Sequence, residues 1–204
     1  MDKKLYIHNY CKIKNNSVNL NGEIIYSDKE TEMTVFLKNV YHFLGLKYAK
    51  FFKMDSLSKI AFLTSEILVN NAKITIKETN TAVVLSNNAS SLDTDRKHQK
   101  SISDPDNYFP SPSVFVYTLP NIGIGEISIR HGLKSENVFF VFSQYNETVH
   151  YTYENSLIQS GKATTVLSGW TNVDDQSVDV FMYLISEKGS IPHSAKELIK
   201  LYKN

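Results

Sequence analysis

The hydrophobic positions along the chain follow two patterns, helical spacing and short continuous runs. Helical spacing is clearest over 55–69, where one apolar stripe includes Ile60, Leu63 and Ile67. Asp55 stands where its side chain can cap the first turn of that helix. The same spacing predicts further helices over 34–44, 113–130, 147–159 and 195–202. Pro120 is expected to kink or break the helix over 113–130.

Short apolar runs predict the strands of the chain. The predicted strands lie at 4–11, 81–86, 137–143, 163–169 and 178–186, with a shorter one at 23–26. The run over 137–143 carries Val and Phe without interruption, which is typical of a strand buried on both faces. The stretch over 87–107 is polar and predicts mainly a loop.

The predicted strands alternate with predicted helices along most of the chain. This order is typical of an α/β fold with a mostly parallel sheet. At 204 residues, the length fits one domain over residues 1–204. A hydrophobic fraction of 42% is enough for a sizeable core.

Composition and charge narrow the function classes. The 22 Lys and Arg residues nearly balance the 21 Asp and Glu residues, so no basic face for nucleic acid is expected. One cationic run, over 96–100, is interpreted as a solvated helix or loop, with contact to a carrier protein as the alternative. Cys11 is the single cysteine, which excludes an internal disulfide. No apolar run reaches membrane-spanning length, and a cytoplasmic location is expected.

The segment over 111–170 holds a recognisable arrangement. An apolar strand over 137–143 (NVFFVFS) leads into a turn, a helix over 147–159, Gly161 and another strand. This resembles the N-terminal half of a β-ketoacyl synthase, which has the thiolase fold. The resemblance extends over about 38–187 and implies a thiolase-like half-domain. Such a half-domain has a five-stranded, mostly parallel mixed sheet, with the last strand antiparallel, covered by helices.

The resemblance draws attention to Gln144. The family's spacing, counted back from Gly161, places Gln144 where ketosynthases carry their nucleophilic cysteine. Condensation needs a thiolate that accepts an acyl group, and a glutamine amide cannot serve. With a glutamine at this position the chain resembles chain length factors, which do not condense. It also resembles some loading ketosynthases, which decarboxylate malonyl groups. Simple drift of an unused turn is a third alternative.

The rest of the ketosynthase machinery is not expected in this chain. The resemblance implies that the histidines that act with the cysteine come from a second thiolase half, which has no place in 204 residues. No catalytic residue is therefore assigned, although Ser143 and His150 lie near Gln144 in the sequence. The six histidines lack metal-ligand spacing, and neither a metal nor a cofactor is expected. Solvated charge is the interpretation of four carboxylates in the polar stretch: Asp93, Asp95, Asp104 and Asp106.

The resemblance also implies candidate contact residues. The region over 110–121 corresponds to one that approaches the acyl tunnel and the dimer interface of ketosynthases. The candidate ligand-binding residues are Phe115, Tyr117, Asn121 and Phe142. The strand before the nucleophile pairs across the ketosynthase dimer axis, so the candidate interface residues are Val138, Phe139, Phe140 and Val141.

These observations predict a non-catalytic ketosynthase-like subunit that assists a true ketosynthase in fatty-acid or polyketide-type synthesis. Short chains of this kind resemble those encoded with polyene pigment pathways, such as aryl polyenes and flexirubins. The expected partner is a ketosynthase subunit or a second copy, and an acyl carrier protein is a further candidate. A lone half-domain would leave an apolar face uncovered unless residues 12–50 and 190–204 cover it.

Two other classes of function remain open at this stage. A module that binds an acyl chain or an acyl carrier protein would show a closed apolar tunnel near Phe115, Phe142 and Gln144. An enzyme with recruited residues would show a cleft where His150 meets a carboxylate or Ser143.

Overall fold

The computed structural model describes residues 3–72, 74–76, 80–106, 108–175 and 177–204. The helices are α1 (Met33–Phe43), α2 (Ser56–Asn70), α3 (Leu92–Ile102), α4 (Pro112–Val116), α5 (Ile122–His131), α6 (Glu147–Gln159) and α7 (Ala195–Lys203). The strands are β1 (Tyr6–Lys14), β2 (Ser17–Leu20), β3 (Glu23–Ser27), β4 (Thr81–Asn87), β5 (Asn137–Val141), β6 (Thr165–Asp174), β7 (Ser177–Ser186) and β8 (Ile191–Pro192). A 3-10 helix over Ala49–Lys53 precedes α2.

Most predicted elements are confirmed. Helix α2 begins where its polar cap allows, because the Asp55 carboxylate accepts a hydrogen bond from the Ser58 backbone N–H at 2.9 Å. Its apolar stripe is buried, with Ile67 fully inaccessible. The predicted helix over 113–130 is broken into α4 and α5, and Pro120 lies in the break.

The strands form one mixed sheet in the order β3-β2-β1-β7-β6-β4-β5, with β8 pairing to β1. Strands β4, β5 and β6 are parallel, and β7 is antiparallel to β6 and to β1. Four of the five strands β1, β4, β5, β6 and β7 therefore run in one direction, as predicted. The sheet has eight described strands instead of five, because β2, β3 and β8 extend it beside β1.

Helices cover both faces of the sheet and create two cores. Helices α1, α2 and α5 pack on one face around Phe36, Phe62 and Ile67. On the other face α6 and α7 pack around Phe181 and Tyr183. The additions over 12–50 and 190–204 thus supply α1 and α7, and they cover much of the surface that a lone half-domain would expose.

Two sequence expectations are corrected. The polar stretch over 87–107 contains helix α3, whose first turn carries Asp93 and Asp95. Carboxylates in the first turn interact favourably with the helix dipole. The Asp93 carboxylate also forms an ion pair with the Lys97 ammonium one turn later, at 2.7 Å. Few apolar residues mark this helix, so the hydrophobic pattern did not reveal it. Strand β5 is not buried on both faces, because it lies at the edge of the sheet and its residues are half-buried or exposed.

Candidate functional site

The turn after β5 carries the residue that the sequence singled out. Strands β4 and β5 are parallel, so their carboxyl ends meet at one edge, where the Phe142 backbone N–H donates to the Asn87 carbonyl at 2.9 Å. Ser143 and Gln144 follow and are exposed, whereas Tyr145 is buried. The Asn146 side chain then caps α6 by accepting from the Val149 backbone N–H. The amide of Gln144 therefore faces solvent.

A fully buried polar network lies behind this turn. His150 Nε2 is 2.7 Å from Ser86 Oγ, and His150 Nδ1 is 3.0 Å from Ser168 Oγ and 3.2 Å from Glu154 Oε1. The Ser168 hydroxyl donates to the Val84 carbonyl at 2.9 Å, so its oxygen accepts from Nδ1–H. This leaves His150 Nε2 to accept the Ser86 hydroxyl.

Glu154 is the centre of the network. Its Oε1 accepts from the Tyr183 hydroxyl at 2.8 Å, and its Oε2 lies 2.7 Å from His193 Nε2. Burial alone would raise the pKa of Glu154, but hydrogen bonds from His150 and His193 outweigh burial and hold that pKa well below its ordinary value. The Tyr145 hydroxyl also belongs to the network, because it lies 3.1 Å from the Tyr183 hydroxyl.

Ser86, His150 and Glu154 lie within the hydrogen-bond distances of a Ser–His–Glu catalytic triad, but their role here is structural. A nucleophilic serine must reach its substrate, and Ser86, His150 and Glu154 have no exposed surface among the described residues. His150 does meet a carboxylate, as the enzyme interpretation required, but it does so inside the core and not in a cleft. The network ties α6 to β4, β6, β7 and the segment before α7. Sequence reasoning missed it, although the spacing of His150 and Glu154, one helical turn apart, was a signal.

The four candidate ligand-binding residues occupy different environments. Phe115 is 60% exposed and lies against the His98 ring, and Asn121 is exposed at the start of α5. Tyr117 is buried and its hydroxyl donates to Glu126 at 3.0 Å. Phe142 stacks on Phe140 with ring centroids 5.4 Å apart. Because two of the four are exposed, they do not enclose a tunnel within this chain, and their role in binding stays a prediction.

The candidate interface residues lie on the free edge of the sheet. Val138 and Phe140 pack towards the α6 side, Phe139 packs towards the α2 side, and Val141 is 53% exposed. No described strand pairs with the outer edge of β5. A second set of exposed apolar side chains follows α3 and continues beyond α4: Phe109, Phe115, Val116 and Leu119. Unpaired edges and exposed apolar patches are features that proteins usually cover.

Similar folds occur among solved structures. The ishigamide ketosynthase/chain length factor matches with a TM-score of 0.70 and 15% identity over 93% of this chain and 64% of the other. The ketosynthase ApeO in complex with its chain length factor ApeC, from Xenorhabdus doucetiae, matches with a TM-score of 0.61 and 14% identity over 98% of this chain and 90% of the other. The AntDE:AntF complex, a type II PKS acyl-carrier protein in complex with its ketosynthase, matches with a TM-score of 0.67 and 13% identity over 91% of this chain and 63% of the other.

The chain therefore has the fold of ketosynthases and chain length factors, as the resemblance in its sequence predicted. It spans less than two thirds of the ishigamide and AntDE:AntF chains that it matches. Neither a protein-family model nor a curated protein matches it.

Two features are absent from the residues that the structure describes. These residues contain no group of three or more His, Cys, Asp or Glu placed to hold a metal ion. Among the helices that the structure describes, none is long and apolar enough to cross a membrane.

Proposed function

We propose that this protein is a non-catalytic ketosynthase-like subunit that assists a true β-ketoacyl synthase in fatty-acid or polyketide-type synthesis. The observation that carries the proposal is the turn after β5. An exposed residue, Gln144, stands where the resemblance to ketosynthases implies a nucleophile, and His150, on the helix that follows, is enclosed in the core. A subunit of this kind contributes by association and not by acyl transfer.

The free edge of β5 supports association with a partner. Its backbone N–H and C=O groups on the outer side have no described strand partner, and half-exposed Val and Phe side chains flank them. A second strand laid along this edge would satisfy the backbone groups and bury the side chains. The partner we propose is a complete ketosynthase subunit, with a second copy of this chain as the alternative.

The similar structures agree with this kind of partner. Two of them are a ketosynthase together with a chain length factor, and a third is an acyl carrier protein in complex with its ketosynthase. We extend the proposal to polyene pigment synthesis as the specific pathway and to cytoplasmic location. A second candidate function is a module that binds an acyl carrier protein or an acyl chain without a ketosynthase. The exposed apolar residues around Phe115 favour it.

Co-purification with a complete ketosynthase from the same organism tests the association. We expect a stable complex with an interface above about 1,000 Å². A Val141→Lys change places a charge on the free edge and should abolish the complex. The control is Ile24→Lys, because Ile24 is 66% exposed on β3, the opposite edge of the sheet. A monomer that binds no ketosynthase offered would refute this proposal, and carrier-protein binding by that monomer would favour the second candidate.

Mass spectrometry after incubation with acyl thioesters tests the absence of catalysis. We expect no acyl adduct on the protein and no release of carbon dioxide from a malonyl carrier. Gln144→Cys should also fail to restore condensation, because His150, the histidine that follows the turn, is buried in the core. An adduct on any residue near 144 in the unmodified protein would contradict the proposal.

A further inference from the structure

Three lysines line a pocket of about 240 Å³ at the start of α2, and no residue of β5 contributes to it. Lys53 precedes α2, Lys59 lies in its first turns, and Lys97 lies on α3. Hydroxyl side chains form much of the remaining wall: Thr34, Ser56, Thr94 and Ser113. We call this site the lysine pocket.

The acidic groups around the lysine pocket are already engaged. Asp55 accepts the Ser58 backbone N–H with one carboxylate oxygen and the Thr94 hydroxyl with the other, at 2.9 and 2.8 Å. Asp93 pairs with Lys97 at 2.7 Å. In the described part of the chain, Lys53 and Lys59 form no ion pair. The pocket therefore holds more positive charge than its own carboxylates neutralise.

Lys59 is partly withdrawn from water. Its ammonium lies 5.8 Å from the centroid of the Phe51 ring and is half-buried beside the pocket. Burial lowers the pKa of Lys59, Asp55 raises it, and Lys97 lowers it again. An anion in the pocket would relieve both unfavourable effects, because it replaces lost hydration and screens one ammonium from the other.

We propose that the lysine pocket binds a small phosphate-bearing group, either inorganic phosphate or a phosphomonoester of a larger molecule. Ammonium groups are compact charges that bind phosphate oxygens well, and hydroxyl groups can donate to the same oxygens. Two lysines that form no ion pair among the described residues match a dianion better than the single charge of a carboxylate. The volume lies below the roughly 300–1,000 Å³ of pockets for drug-sized ligands, which favours the phosphate group alone over a whole nucleotide. This site is separate from β5 and does not depend on the function proposed above.

Isothermal titration calorimetry at constant ionic strength tests the proposal with three probes: inorganic phosphate, glycerol 2-phosphate and acetate. We expect saturable one-site binding of at least one phosphate probe, with an affinity about tenfold or more above that of acetate. Phosphate can accept more hydrogen bonds from charged groups than acetate can, and one such bond is worth about tenfold or more in affinity. Tighter binding of inorganic phosphate identifies the free ion as the ligand, and tighter binding of the ester identifies a phosphomonoester. The proposal is overturned if neither phosphate probe shows saturable binding, or if acetate binds as tightly as the phosphate probes.

A matched pair of variants locates the binding. Lys59→Met keeps the apolar stem against Phe51 and removes the ammonium, so phosphate binding should weaken about tenfold or more. Lys100→Met removes the same charge from α3 outside the pocket and should change binding less than about twofold, because salt screens exposed charges. Equal weakening by both variants would mean diffuse surface attraction and would overturn the site. Lys53→Met, at an exposed position, repeats the test should Lys59→Met unfold.

Discussion

Replacing Glu154 by Gln removes the charge at the centre of the buried network and keeps the shape of the side chain. In the unmodified protein the Glu154 carboxylate accepts hydrogen bonds from Tyr183 and His193, and it lies 3.2 Å from His150 Nδ1. A glutamine has one acceptor oxygen, and its NH₂ group would face a donor that then has no acceptor. The change therefore loses charged hydrogen bonds and leaves a buried donor unpaired.

The expected cost of Glu154→Gln is about 3–5 kcal/mol, the usual range for breaking a buried, paired charge. For a chain of this size each kcal/mol lowers the melting temperature by about 2–4 °C, so the midpoint should fall by roughly 6–20 °C. Urea unfolding followed by circular dichroism measures the free energy directly. Glu147→Gln is the control, because Glu147 lies in the first turn of the same helix, outside the network. It should cost no more than about 1 kcal/mol through the helix dipole.

The pH dependence gives the same prediction an independent test. The pKa of Glu154 is lower in the folded protein than its ordinary value of 4.5, so folding favours the charged form. Its stabilisation is fully present above pH 4.5 and is lost as the pH falls further. The difference in unfolding free energy between the unmodified protein and Glu154→Gln should therefore be constant at neutral pH and shrink below pH 4.5. A cost under about 1 kcal/mol, or a difference that does not shrink in acid, would refute the role assigned to this carboxylate.

Two further substitutions test the packing of the sheet and its helices. Ile67→Ala should lower the free energy of unfolding by about 2–5 kcal/mol, because Ile67 is fully buried, and a loss under about 0.5 kcal/mol in urea unfolding would place it at the surface. Gly169→Ala should cost about 2–6 kcal/mol, because its φ of +150° is strained for alanine and the added Cβ would lie 2.1 Å from the Phe181 carbonyl oxygen. Gly125→Ala on α5 is the control, since no atom lies within 4 Å of its added Cβ, and its melting temperature should stay equal or rise.

Local signals in the sequence predicted many of the elements. The stripe and cap of α2 lie within one segment, and so do the apolar runs of β4 and β7. Two hairpin signals were also present and were overlooked. Asn15-Asn16 and Asn21-Gly22 adopt positive φ angles in the turns that join β1, β2 and β3. Such pairs are typical of two-residue hairpin turns, and they would have predicted β2.

Properties that depend on distant segments could not be predicted in the same way. The apolar run of β5 was interpreted as a central strand, but its burial depends on its place in the strand order, which no local pattern encodes. The network around Glu154 joins distant residues, since His193 lies 39 positions from Glu154 and Ser86 lies 64 positions from His150, and each polar residue alone looks like a surface residue. The position of Gln144 in its turn was predictable because strand, turn and helix are contiguous.

The pairing of β1 with β7 has a consequence for how the chain acquires its structure. β1 covers Tyr6–Lys14, and its partner β7 covers Ser177–Ser186, yet the two lie side by side in the sheet. During synthesis, about 170 residues must follow β1 before its neighbour β7 exists. Until then β1 can pair only with β2, within the short β1–β3 meander. Contacts so distant along the chain make folding slow and leave apolar strands open to other chains in the meantime. Chaperone binding during translation should accordingly concentrate on the segment around β1.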